Sequence, residues 1–143
     1  MPTTNASPGR LDRHIDFLGR LHLVFAAFNG IVGTGVVAFA VSAALLTGPA
    51  GRTRPGAEIA ASVTAAGFTV VAVTALLWAA VHWWCGRALL ARDYRGRLLA
   101  LALATMNGLL FPVGTLLAGY ALWVLLQDEV RLRFAPEQTG AAL

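Results

Sequence analysis

Five residues inside the long apolar stretches have side chains that can do chemistry: His22, His82, Asn29, Asn107 and Cys85. Imidazoles on neighbouring helices can ligate a haem or a metal ion, which makes His22 and His82 weak candidates for a cofactor site. Each also has a polar interface within a turn or two, and no third ligand stands at metal spacing. No metal site is assigned, and the alternative is two interfacial histidines. Asn29 and Asn107 lie at similar depth, about two turns inside their apolar runs, and each precedes a glycine. An amide in hydrocarbon seeks a partner, so these two can pair as a clamp worth about 0.5–2 kcal/mol. Alternatively both line a polar cavity with Thr34 and Tyr120, where a small molecule binds or passes. Cys85 is the only cysteine and cannot form an intramolecular disulfide; it is either a packing residue or a palmitoylation target.

Absences narrow the field further. No Asp or Glu falls inside the apolar runs. Proton-coupled carriers place a titrating carboxylate in the bilayer, so that class is disfavoured. No nucleophile stands with a base, and the chain reads as a non-enzyme without a cofactor of its own. The net charge of +4 does not signal nucleic acid, because the arginines flank apolar runs and do not interleave with aromatics. Contact with anionic lipid headgroups accounts for them better.

The elements that must position these residues follow from the apolar runs. The sequence is 57% hydrophobic and 13% charged, with a mean hydropathy of +0.68, outside the range of ordinary soluble domains. Residues 98–127 form an uncharged run broken only by Phe111-Pro112-Val113-Gly114. As one helix it would extend roughly 45 Å against a hydrocarbon core of roughly 30 Å. It is either a single tilted, Pro-kinked span or a hairpin turning at Pro112 and Gly114. Proline disfavours the helical region at Phe111, and Gly114 tolerates the backbone of a turn.

Charge favours the hairpin. All eleven basic residues are arginine, and they fall into four groups: Arg10, Arg13 and Arg20; Arg52 and Arg54; Arg87, Arg92, Arg95 and Arg97; Arg131 and Arg133. The positive-inside bias places the four-arginine group in the cytoplasm. Four spans then bring both chain ends inside, whereas three leave Arg131 and Arg133 outside. The expectation is an all-α integral membrane four-helix bundle with spans at 21–46, 59–86, 94–111 and 113–130. Three spans with a kinked last helix remain the alternative.

Residues 1–20 read as a cytoplasmic segment, either a short amphipathic helix on the membrane surface or a frayed tail. Residues 132–143 read as a flexible tail. The first apolar run is too long for a signal-peptide core and is read as a retained span. Gly30 to Gly35 has the look of a nucleotide loop, but no strand precedes it. Small residues mark the helix contacts: Gly30 and Gly33 on the first span, Ala100, Ala104 and Gly108 on the third, Gly114 and Ala118 on the fourth. Such positions let membrane helices approach closely.

Several stretches resemble a group of small multi-span bacterial membrane proteins. They are Gly86-Arg87-Ala88-Leu89-Leu90, Arg97-Leu98-Leu99-Ala100-Leu101, Met106-Asn107-Gly108, and Phe111-Pro112-Val113-Gly114-Thr115 running on through Tyr120-Ala121-Leu122-Trp123-Val124-Leu125-Leu126. The group has a His-led first span, here Leu21-His22-Leu23-Val24, and a paired C-terminal segment. The resemblance implies that Pro112 to Thr115 is a fixed structural feature, and it brings no catalytic residues. The expected role is that of an accessory or packing protein of the bacterial cytoplasmic membrane, partnered by lipid, by itself or by a larger membrane complex. Passive binding or permeation around Asn29 and Asn107, and haem binding at His22 and His82, are the alternatives.

Overall fold

The computed structural model describes residues 9–46, 56–109 and 112–134. All regular structure in it is helical: α1 (Arg10–Leu46), α2 (Ala57–Leu90), α3 (Tyr94–Asn107), α4 (Val113–Leu125) and α5 (Asp128–Arg133). α1 and α2 are long and apolar enough to cross a membrane, and only 17% and 6% of their most apolar stretches are buried. That is far from the core helix of a soluble domain.

α1 starts directly after Gly9. The Gly9 carbonyl accepts from Arg13 N, and the Gly9 N–H donates to Asp12 Oδ2 at 3.1 Å. The carboxylate three residues in thus reaches back to the cap, and its charge suits the helix N-terminus. Residues 10–20 are the opening turns of α1, continuous with the first apolar run. The loop read between the first two runs lies, over 47–55, outside the described residues. Gly56, with φ +87°, leads into α2.

α2 ends on a Schellman pattern: Asp93 N donates to Ala88 O at 2.9 Å and Arg92 N to Leu89 O at 3.1 Å. The left-handed residue this requires is Arg92, at φ +57°, where glycine is the usual choice. Asp93 then caps α3, its side chain accepting from Arg95 N at 2.9 Å. Two residues therefore close one helix and open the next.

The 98–127 run divides into α3 and α4, which pack against each other as a hairpin. Gly108 caps α3, and the Thr115 hydroxyl donates to the Gly108 carbonyl at 3.1 Å across the turn. Two expectations need correction. Gly114 is not in the turn; it is a buried helical residue, the second of α4. The last apolar helix, α4, ends at Leu125, short of the expected residue 130. Gln127 is extended there (φ −67°, ψ 132°) before the short α5 begins. The tail from residue 135 lies outside the described residues, while Phe134 is buried.

The chain forms two compact units, one of residues up to Leu23 and from Trp83 onward, the other Val24–His82. The first has a core of Ile15, Leu18, Leu89, Leu103, Val124 and Leu125 among others. The second is an antiparallel helix pair in which Gly33 packs on Leu76 and Gly30 faces Ala79. Among its described residues the exposed surface is mostly apolar, with Phe28, Ile31, Phe39, Ile59, Val70 and Leu77 all exposed. Fully burying each such side chain is worth roughly 1.5–3 kcal/mol, so this surface calls for an apolar surrounding.

Candidate functional site

The densest polar arrangement lies in the first unit, at the start of α1. Arg92, held in its left-handed conformation, reaches Asp16 Oδ1 at 2.9 Å, the Asp12 carbonyl at 3.2 Å and the Leu89 carbonyl at 3.3 Å. Asp12 in turn receives Arg133 of α5 at 3.1 Å. Two carboxylates thereby join α1, the α2–α3 turn and α5. Between these two aspartates in sequence, His14 Nδ1 shares a 2.9 Å hydrogen bond with Tyr120 Oη of α4 and meets the Trp123 ring edge-on at 5.4 Å. Phe17 packs edge-on against Tyr120 at 5.8 Å. This is a clasp of charges and rings.

Two close backbone approaches also lie here. A Cβ on Gly86 would sit 2.7 Å from the Gly19 carbonyl oxygen, and one on Gly96 would sit 2.7 Å from the Ala88 backbone. Only glycine allows those approaches. Cys85 lies beside the second of them, buried, with its Sγ 3.9 Å from the Gly96 carbonyl. Arg97, next to Gly96, directs Nε and Nη2 at the Leu125 carbonyl, at 3.3 and 3.1 Å, and so caps the open end of α4.

Neither His14 nor the Gly19–Gly86 contact is evident in the sequence. His14 sits among charges in a segment that reads as surface, and its partner lies 106 residues away. The glycines did carry a signal: Gly19, Gly86 and Gly96 each immediately precede an arginine at the edge of an apolar run.

The residues expected to matter are placed as follows. His22 is buried in the first unit. His82 is fully buried in the second, with the rings of Phe25 and Trp78 at 4.8 and 5.3 Å. Aromatic edges pack around the imidazole as around any core side chain. Among the described residues no three His, Cys, Asp or Glu side chains gather as metal ligands. Asn29 donates its amide to the Phe25 carbonyl at 2.8 Å, within its own helix. Thr34 does the same to Gly30. Asn107 differs: it is 1% exposed, and neither amide atom has a hydrogen-bond partner among the described residues. Of the packing positions, Gly33, Ala100, Ala104, Gly114 and Ala118 are buried, Gly30 is half-buried and Gly108 is exposed.

No known family matches the chain, and neither a curated protein nor a solved structure is significantly similar to it.

Proposed function

We propose that this chain is a non-enzymatic protein of the bacterial cytoplasmic membrane, an accessory subunit that associates with itself or with a larger membrane complex. α1 and α2 are its full spans, and both chain ends lie in the cytoplasm. The α3–α4 hairpin enters from the arginine-rich side. Its helices are only roughly 21 and 20 Å long, against a core of roughly 30 Å, so it turns back inside the bilayer.

One observation carries the accessory role. Glycines 35, 67 and 119 are helical yet have nothing within 4 Å of the position a Cβ would take. Each costs its helix about 1 kcal/mol relative to alanine and gains no contact within this chain. On α1, Gly35 continues at spacings of three and four into Ala38 and Ser42, all exposed. A small-residue face of that kind suits a helix from another chain. The hydroxyls nearby offer lipid no free donor, since Thr34, Ser42, Thr64 and Thr69 each bond the carbonyl four residues back.

The test is cross-linking in native membranes from Ala38→Cys in a Cys85→Ala background, followed by mild-detergent purification and mass spectrometry. The reading expects a dimer or a stoichiometric partner, lost in Gly35→Leu. A monomer with nothing attached sinks it. The absorbance spectrum of the same preparation reports on haem at His22 and His82.

The unpartnered Asn107 amide supports a second reading, passive binding or permeation of a small polar molecule. Asn107→Leu separates the cases. Reduced solute flux into liposomes supports it, whereas unchanged flux with a more stable protein means a merely orphaned amide.

A further inference from the structure

We propose that Arg20 and Arg87 together bind the phosphate of an anionic phospholipid, an inference that rests on the membrane reading above. α1 and α2 run antiparallel at this level: Gly19 packs against Leu90 and the Gly86 carbonyl, and Gly86 against Gly19 and Leu23. In an antiparallel pair, the residue following each contact position turns about 100° in a sense that brings both to the same side. Arg20 and Arg87 are those residues. Both are exposed, and the absence of Cβ atoms at Gly19 and Gly86 brings their backbones unusually close.

Asp12 and Asp16 are taken up by Arg92 and Arg133, and Arg97 is taken up by the Leu125 carbonyl. Among the described residues the guanidiniums of Arg20 and Arg87 are unpartnered, as are those of Arg10, Arg13, Arg95 and Arg131; what sets this pair apart is the two tightly packed glycines that precede them. Two like charges that follow closely packed glycines on the same side of a helix pair suit an anion, and guanidinium groups suit a phosphate bearing two acceptor oxygens. The source is indicated by what lies next to them. Trp83 and Trp84, four and three residues before Arg87, share its side of α2, are half exposed, and stand where the apolar run ends. Indoles prefer the headgroup level of a bilayer, so the anion belongs to a lipid whose chains lie along the apolar part of the helices.

Native mass spectrometry of the full chain in mild detergent, titrated with phosphatidylglycerol or phosphatidylcholine, tests this. The wild type is expected to retain phosphatidylglycerol preferentially. R20Q/R87Q should weaken that retention roughly tenfold, and each single change by about threefold. R20K/R87K should keep most of it, and R10Q/R131Q, which removes the same charge elsewhere, should match the wild type. Circular dichroism shows whether each variant is folded, and the single variants carry the test if the double one is not. Unchanged retention in folded R87Q and R20Q overturns the proposal. So does an equal loss in R10Q/R131Q, which makes the effect one of net charge, or displacement of the lipid by glycerophosphate, which makes the ligand a free phosphate. Carbonate extraction keeps the two readings apart. Release of the chain from membranes defeats the membrane reading, whereas retention without any phosphatidylglycerol preference defeats this site alone.

Discussion

Gly86 and Gly119 differ only in what lies in front of them, and that difference predicts opposite responses to one methyl group. At Gly86 the obstacle is the Gly19 carbonyl, 2.7 Å away, which moves only if the helices part. Gly86→Ala is therefore expected to destabilise the protein by about 1–3 kcal/mol. Gly119→Ala meets nothing within 4 Å and should be neutral or stabilising by up to about 1 kcal/mol. Thermal unfolding of both variants in the same detergent checks the pair; equal shifts would mean the close approach is not real. Arg92 gives a second contrast. Its φ of +57° is comfortable for glycine and strained for other residues, while its guanidinium holds Asp12 and Asp16. Arg92→Gly loses the ion pairs but relieves the backbone, whereas Arg92→Ala loses the ion pairs and keeps the strain. The alanine variant should be less stable by about 1 kcal/mol. If the two melt together, the turn does not depend on the left-handed conformation.

The elements show which features are local and which are not. The division of the 98–127 run into α3 and α4 is legible because Pro112 perturbs its own neighbours. The second break, at Leu126 and Gln127, is not, since no glycine or proline marks it. Its long-range partner is Arg97, 28 residues earlier, which supplies donors to the Leu125 carbonyl at the end of α4. A sequence shows Arg97 only as one more topogenic charge. The clasp was hidden for the same reason: Asp12 and His14 look like surface residues until α4 and α5 return to meet them. Arg97→Met tests the assignment. Losing hydrogen bonds from a charged donor should cost about 1.5–3 kcal/mol and loosen α5. Faster amide exchange over 126–134, with α3 unaffected, is the expected pattern; unchanged exchange would leave the break without a cause.

At the scale of the whole molecule, the two connections on the far side of the proposed spans differ in chemistry. The α1–α2 loop contains Pro49, Arg52, Arg54 and Pro55, a composition made for water. Around the α3–α4 turn, by contrast, the large exposed side chains among the described residues are apolar: Met106, Leu109, Val113 and Leu116, with Leu109 85% exposed. A turn reaching the aqueous exterior would place these in water, and a turn inside the bilayer places them in lipid. The backbone groups such a turn frees must be satisfied locally, and the Thr115 hydroxyl on the Gly108 carbonyl does part of that. Single cysteines in a Cys85→Ala background decide the matter, using a membrane-impermeant maleimide on intact cells and on inverted vesicles. Thr53→Cys is expected to react only from outside and Glu129→Cys only from the cytoplasmic side. Leu109→Cys should resist labelling from both sides until detergent is added. Reaction of Leu109→Cys from outside would make α3 and α4 full spans, and the short helices would then have to be met by a locally thinned bilayer.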